Sequence, residues 1–159
     1  MDIYKLGVPR CKNVGKKGPL PPLYSKDGLT DYPRKGMDKD IRFENSQFAL
    51  FPLDVAIGLA KNYPKAWCSG GNYFGNYAFE YWVKTITYLN SKDGQDVPTD
   101  CLRWMKKREQ YIARHRGDFR LAGVVAMIKW AGLVDNGTDG SINGSSFDYM
   151  VGLIEQYGR

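Results

Sequence analysis

Leu102–Lys129 reads LRWMKKREQYIARHRGDFRLAGVVAMIK, and this stretch joins two helices of opposite character. Basic side chains crowd the first of them up to Arg116, whereas the segment from Phe119 onward is almost wholly apolar. We expect Gly117 to stop the first helix and Asp118 to cap the second, which leaves a very short turn between them. Such a turn makes neighbouring helices antiparallel or sharply angled. The pattern therefore predicts a basic helix with an exposed surface that packs on an apolar helix of the core.

The apolar spacing on either side of this stretch is also helical. Pro52 stands at a favoured first-turn position, and apolar residues then repeat on one face until Tyr63-Pro64 ends the helix. Further helices are predicted over 77–90, about 100–116, 119–134 and 147–157, with Thr99 as the cap of the second of these. We therefore predict a mostly α fold, with about five helices in one compact domain over residues 49–159.

Residues 1–48 differ from the rest of the chain in composition. They contain five prolines and five glycines, and ten basic residues stand against six acidic ones. This composition disfavours helices and central strands, but the segment holds too many apolar residues for a solvated tail. We predict an extended, basic, Pro/Gly-rich N-terminal arm that packs on the domain or on a partner, with Lys16 and Lys17 as candidate binding residues. An irregular wrap that only completes the chain's own core is the alternative.

The overall charge favours an anionic partner. The chain of 159 residues carries 23 Lys and Arg against 17 Asp and Glu, a formal net charge of +6, and 14% of its residues are aromatic. Cations attract phosphates and aromatic rings stack on bases, so nucleic acid is a candidate partner. No apolar run approaches the ~18 residues of a membrane span, and the N-terminus lacks the apolar segment of a signal peptide. The sequence thus predicts a cytoplasmic protein with no membrane partner.

The basic helix places two stripes of polar and aromatic residues side by side. One stripe holds Arg103, Lys107, Gln110 and Arg114 and the other holds Trp104, Arg108, Tyr111 and His115, while Leu102, Met105 and Ile112 face the core. Interleaved cations and rings suit a nucleic-acid strand. The candidate binding residues on this helix are therefore Arg103, Trp104, Lys106, Lys107, Arg108, Tyr111, Arg114 and Arg116.

A second interpretation of the same helix is a solvated cationic face, with Trp104 and Tyr111 half-buried against the arm. A helix-turn-helix is not predicted, because its second helix reads the DNA groove and the second helix here is too apolar to do so.

The cysteines give a weak metal signal. Cys11, Cys68 and Cys101 are widely spaced along the chain, and we predict that they are free thiols in a reducing compartment. Together with His115 they form a candidate Cys3His zinc site. However, no two of them have the short spacing that structural zinc sites usually show.

Other chemical signatures are thin. Asp93, Asp96, Asp100 and Asp118 are candidates to surround a metal, but they lack the paired spacing of an α-helical nucleotide hydrolase and are interpreted as loop and cap residues. The glycine-rich stretch Ser69–Gly75, SGGNYFG, lacks the G-K-[ST] ending of a phosphate-binding loop and is interpreted as a tight turn. We predict no catalytic residue, metal or cofactor.

Two segments resemble known phage proteins. Residues 111–130, YIARHRGDFRLAGVVAMIKW, resemble a stretch of short, uncharacterised proteins that phages and prophages encode. The layout from Leu53 to Lys129 also resembles small phage dATP/dGTP diphosphohydrolase-like helical domains, through GLAKNYPKAW at Gly58–Trp67 and a later Arg114-His115 pair. The second resemblance implies a metal-dependent nucleotide hydrolase, but the paired acidic metal ligands of that family are absent from this sequence.

The sequence therefore predicts a small, basic, phage-type binding protein without enzymatic activity. Its cationic helix would act on nucleic acid, or on an acidic, nucleic-acid-handling host complex whose defence function it would inhibit in an anti-CRISPR-like way. If a phage encodes it, it would work in the cytosol of the host cell; its oligomeric state is not predicted. The alternatives are a metal-dependent nucleotide hydrolase of the all-α phage type and a virion or assembly protein whose arm threads into a neighbouring subunit.

Overall fold

The computed structural model describes residues 3–11, 48–72, 75–89, 98–134 and 145–157. Within these ranges the chain forms a short 3-10 helix at Ile3–Leu6 and six α-helices. The α-helices are α1 (Leu53–Asn62), α2 (Pro64–Trp67), α3 (Gly75–Leu89), α4 (Thr99–His115), α5 (Leu121–Lys129) and α6 (Ser145–Tyr157). The prediction of a mostly α fold is thereby confirmed. None of the described helices is long and apolar enough to cross a membrane.

Helix α5 lies at the centre of the described domain. Every residue from Val124 to Val134 is buried, and α2, α3, α4 and α6 all pack against this helix. Apart from Lys129, the buried side chains of this stretch are apolar, as expected of a helix that other elements enclose. The apolar second half of the stretch Leu102–Lys129 therefore forms the central helix of the described domain.

Helix α5 is shorter than the predicted 119–134, because a C-terminal cap ends it early. Ala131 adopts a left-handed φ of 61°, and the N–H of Gly132 donates to the carbonyl oxygen of Met127 at 3.0 Å. This is a Schellman arrangement, in which glycine usually takes the left-handed position. Here the glycine stands one residue later, where an added Cβ would meet the Ile112 side chain at 2.7 Å. Gly132 is therefore required because there is no space for a side chain at this position, and not because of its φ.

The helix ends near Pro64 and Pro98 depart from the prediction in detail. Pro64 follows the end of α1 as predicted, but it also begins α2, since the first turn of a helix tolerates proline. At the start of α4 the capping position is Pro98, and Thr99 already lies inside the helix. The prediction that Thr99 caps this helix is therefore wrong, and it is Asp100 that accepts a hydrogen bond from a first-turn N–H, that of Cys101, at 2.9 Å.

The N-terminal segment 3–11 packs onto the helical domain and is covalently joined to it. Ile3 and Val8 are buried in the common core. Cys11 forms a disulfide with Cys68, whose Cα lies 5.3 Å away. The prediction that these two cysteines are free thiols is therefore wrong, whereas Cys101 is a free, buried thiol. Residues 12–47, which make up most of the predicted arm, lie outside the described residues.

Candidate binding surface at the end of helix α4

The two halves of α4 differ in exposure. Residues 101–105 are all buried, and after Thr99 the next exposed residue of α4 is Lys106. Helix α3 packs against α4, and an ion pair of 2.8 Å between Lys84 and Asp100 joins the two helices near the start of α4. The N-terminal half of α4 therefore belongs to the core, and only its C-terminal half offers an extended polar surface.

Burial removes three of the predicted binding residues from the surface. Arg103 is 4% exposed, Trp104 0% and Arg108 1%. In the folded protein these side chains are not accessible to a partner. The predicted core face of α4 holds only Leu102, Met105 and Ile112, whereas in the structure neighbouring segments also cover Arg103, Trp104 and Arg108. Two further predicted residues, Lys16 and Lys17, lie outside the part of the chain that the structure describes.

Arg108 is a structural residue that joins separate parts of the chain. Its guanidinium lies within hydrogen-bond distance of the carbonyl oxygens of Ala131 (2.8 Å), Ala49 (2.8 Å) and Phe48 (3.3 Å). It also forms an ion pair of 3.0 Å with Glu109. Removal from water lowers the pKa of Arg108 to about 10, against the opposing effect of Glu109. Arg108 thus stays charged at neutral pH and uses its charge inside the fold.

The cations of α4 that stay accessible lie along its C-terminal half, and another follows in the turn after it. Lys106 and Arg114 are exposed, Lys107 and Arg116 are half-buried, and Arg120 is exposed in the turn before α5. Lys107 and Arg114 lie two helical turns apart on one side of α4, a distance of about 10 Å along its axis. We call these five cations, together with the exposed His115 between Arg114 and Arg116, the basic turn surface. It consists of Lys106, Lys107, Arg114, His115, Arg116 and Arg120.

A column of three stacked rings connects the basic turn surface to the core. Buried Trp130 stacks on Tyr111 with ring centroids 4.9 Å apart and planes inclined by 13°. Tyr111 in turn stacks on His115 at 4.2 Å and 14°. Burial raises the pKa of Tyr111 to about 12, so its hydroxyl stays neutral. The half-buried Tyr111, a predicted binding residue, is the middle ring, and exposed His115 is the outer one.

The turn between α4 and α5 is held by polar contacts and carries an exposed ring. Asp118 accepts hydrogen bonds from the Arg120 guanidinium at 3.0 and 2.9 Å, and this contact holds the pKa of Asp118 below its usual value. Asp118 orders the turn in this way, but the capping position of α5 is Arg120 and not Asp118 as predicted. Phe119 is 41% exposed and packs edge-on against Tyr149, whose hydroxyl donates to the Phe119 carbonyl oxygen at 2.6 Å.

His115 and Arg120 belong to this surface but are not among the residues predicted from the sequence to bind. A usable signal was present for His115, because Tyr111 and His115 stand four residues apart and such residues meet on a helix. Trp130 completes the column from another helix end, and no local pattern indicates that contact. The exposure of Arg120 also follows from the turn geometry and not from its place in the sequence.

The glycines around α2 and α3 admit a buried lysine from the end of α5. Lys129 is 0% exposed, and its Nζ donates to the Gly70 carbonyl oxygen at 2.7 Å and lies 5.1 Å from the Trp67 ring centroid. An added Cβ on Gly71 or Gly75 would meet Lys129 Cδ at 2.9 or 3.1 Å. Burial lowers the pKa of Lys129 to about 7. The glycines of this loop therefore serve close packing around the Lys129 stem.

The candidate zinc site is not formed. Cys11 and Cys68 are joined in a disulfide, and Cys101 lies in the first turn of α4, whereas His115 ends that helix. The rise of an α-helix separates these last two by about 21 Å. The predicted alternative of a Cys3His site is therefore wrong.

The candidate acidic metal ligands are also apart. Asp100 and Asp118 lie beyond reach of each other at opposite ends of α4, one paired with Lys84 and the other with Arg120. Asp93 and Asp96 lie outside the described residues. Within the ranges that the structure describes, no three His, Cys, Asp or Glu side chains come together as metal ligands.

No protein-family model, curated protein or solved structure matches this chain. The resemblances to phage-encoded proteins therefore stay predictions from the sequence. The function is inferred from the geometry of the basic turn surface.

Proposed function

We propose that the protein binds nucleic acid through the basic turn surface. The supporting observation is that accessible cations lie along the C-terminal half of α4 and in the turn after it, where the exposed His115 ring ends an aromatic column and stands between Arg114 and Arg116 in the chain. Cations contact phosphates, and rings stack on bases, so the two together match both components of a nucleic-acid strand. The net charge of +6 adds a long-range attraction for a polyanion.

Glu109 on α4 and Asp118 in the turn after it both pair with arginines, and one of these arginines, Arg120, belongs to the basic turn surface. Glu109 lies 3.0 Å from the buried Arg108 guanidinium, and Asp118 lies 2.9 Å from that of Arg120. Glu109 thus compensates a cation of the core. Lys107 and Arg114, which align along one side of α4, are then the cations best placed for phosphate contacts.

The mode of binding follows from which helix is accessible. The apolar α5 is enclosed by the domain from Val124 onward, so it is not available to enter a DNA groove as the second helix of a helix-turn-helix does. Binding through cations at a helix end positions the phosphate backbone and carries little sequence information. We therefore propose strong salt dependence and weak sequence preference.

A titration against salt tests the proposal. The fluorescence anisotropy of a labelled oligonucleotide of mixed sequence is followed as protein is added, at salt concentrations between ~50 and ~200 mM, and log K is plotted against log salt. Wild-type protein should give a steep linear decrease. The double variant Lys107→Gln/Arg114→Gln should bind at least about 10-fold more weakly at the lowest salt, with a slope smaller by about 2.

A matched control removes a cation elsewhere. Lys84→Gln takes away one charge at the opposite end of α4, where Lys84 contacts Asp100, and it should leave the salt slope unchanged. A decrease in slope for Lys84→Gln that is half as large as that of the double variant would mean that only total charge matters, and would contradict binding at the basic turn surface. No detectable binding of DNA or RNA by the wild type at ~50 mM salt would overturn the proposal.

A further inference from the structure

We infer that the ligand of the basic turn surface is a single-stranded nucleic acid, one of whose unpaired bases stacks on the outer face of His115. This inference rests on the proposed function and specifies the class of its ligand. The three-ring column already has the geometry of a base stack, because its planes are inclined by only 13° and 14°. Tyr111 covers one face of the His115 ring, and a base on the other face would extend the column by one more ring.

The His115 ring is held in place before any ligand arrives. Its Nδ1 lies 3.0 Å from the Tyr111 carbonyl oxygen, which only accepts hydrogen bonds, so Nδ1 carries the hydrogen. The inner end of the column, Trp130, is 6% exposed and fixed within the core. A ring that is already oriented loses little conformational freedom when a base stacks on it.

This tautomer also determines which polar atom of the His115 ring is available to a stacked nucleotide. In the tautomer with the hydrogen on Nδ1, Nε2 of the imidazole is the acceptor. An exocyclic amine of a base or a sugar hydroxyl can donate to it. Such a contact orients the stacked nucleotide without selecting one base, because several bases and every ribose offer a donor.

Stacking of this kind distinguishes single strands from duplexes. Inside a duplex each base face is covered by the neighbouring base pair, whereas an unpaired base exposes its face to a protein ring. The cations of α4 extend the binding site along the strand beyond the His115 ring, because Lys107 lies about 10 Å before Arg114 along the helix axis. For a strand that keeps the stacked spacing of about 3.4 Å per nucleotide found in each strand of B-form DNA, that length corresponds to roughly three nucleotides.

An abasic strand separates stacking from charge. Binding of three labelled probes of equal length is measured by anisotropy at ~50 mM salt: a mixed-sequence single strand, its blunt duplex, and a strand with abasic sites at its central positions. Wild-type protein should bind the base-bearing strand about 5- to 150-fold more tightly than the abasic strand. His115→Ala should lower affinity for the base-bearing strand to the abasic level and leave affinity for the abasic strand unchanged.

Two further variants complete the test. His115→Trp keeps a ring at this position and should restore or increase the preference for the base-bearing strand, whereas Gln110→Ala, at an exposed position on α4 one turn earlier, should leave it unchanged. The inference is overturned if wild type binds the base-bearing and abasic strands equally, or if His115→Ala weakens both by the same factor. Binding of the duplex as tightly as the single strand also overturns it, while failure to bind any probe at ~50 mM salt overturns the proposed function itself.

Discussion

The guanidinium of Arg108 donates two hydrogen bonds to the carbonyl oxygen of Ala131, from Nε at 3.2 Å and from Nη2 at 2.8 Å. The backbone N–H of Phe51 donates a third to the same oxygen at 3.1 Å. Ala131 is the left-handed residue that follows the end of α5, so these three donors converge where the central helix stops. The same guanidinium contacts the carbonyl oxygens of Phe48 and Ala49, in the segment before α1. One arginine of the cationic helix is thus a core residue that fixes the ends of two other elements.

Replacing Arg108 with methionine should lower the free energy of unfolding by about 3 kcal/mol. The variant removes the guanidinium from the carbonyl oxygens of Phe48, Ala49 and Ala131, of which that of Ala131 keeps the Phe51 N–H as a donor. Each hydrogen bond to a charged group that is lost costs about 1.5–3 kcal/mol. Urea unfolding followed by circular dichroism measures the change. Arg114→Met is the matched control at an exposed position of the same helix, and its effect should stay within ~0.5 kcal/mol. Similar, small effects of both variants would contradict a structural role for Arg108.

Removing the disulfide should lower stability by about 4 kcal/mol. The bond closes a loop with a sequence separation of 57 residues, and the entropy that a loop of this length removes from the unfolded chain corresponds to about 4 kcal/mol. The double variant Cys11→Ser/Cys68→Ser is compared with wild type by urea unfolding, with and without a reducing agent. Reduction should destabilise the wild type to the level of the variant and have no effect on the variant. A reductant effect of the same size on both proteins would show that it acts elsewhere.

Local sequence signals predict the helices because their causes are local. Pro52 and the apolar repeat after it define α1, and Gly117 marks the end of the basic helix within two residues of its observed end at His115. The apolar composition after Phe119 is enough to predict an enclosed helix. By contrast, the end of α5 depends on the side chains of Ile112 and Met127 around Gly132, which no window of sequence around that glycine reveals.

The candidate site is less predictable, because tertiary contacts decide which cations reach the surface. Arg108 and Arg114 are indistinguishable by residue type, yet the first is buried against carbonyl groups of segments far away in sequence and the second is exposed. The pairing of Cys11 with Cys68 is equally distant along the chain. Only the contact between Tyr111 and His115 follows from helical spacing alone.

The same substitution should have opposite effects at two glycines. A Cβ on Gly70 would collide with the backbone carbonyl group of Ala122 in α5, so Gly70→Ala should lower the free energy of unfolding by about 3 kcal/mol. A Cβ on the exposed Gly152 of α6 meets nothing within 4 Å, and there alanine should raise stability by up to about 1 kcal/mol. Both changes are measured by thermal and urea unfolding. A neutral Gly70→Ala variant would show that the loop moves away from α5 without penalty.

Stability should rise with pH above neutrality because of Lys129. Burial lowers the pKa of Lys129 from 10.5 to about 7, so between these two values the unfolded chain binds a proton that the folded chain does not. The free energy of unfolding therefore increases with pH in this window, by up to ~1.4 kcal/mol per pH unit, and the full penalty of burying the ammonium is present below pH 7. Lys129→Met removes the titrating group and should be the more stable protein at pH 6, by on the order of 3 kcal/mol after the lost hydrogen bond to Gly70 is subtracted.

The difference between wild type and Lys129→Met is the quantity to measure, by urea unfolding from pH 6 to pH 9. It should shrink steadily as pH rises, because the folded wild type no longer carries a buried charge once Lys129 is neutral. Cys101, whose pKa burial raises to about 11, is present in both proteins, so its titration cancels in this difference. Lys65→Met, at an exposed position of α2, should follow the wild-type pH profile. A difference between wild type and Lys129→Met that does not change with pH would show that Lys129 keeps one protonation state throughout this range.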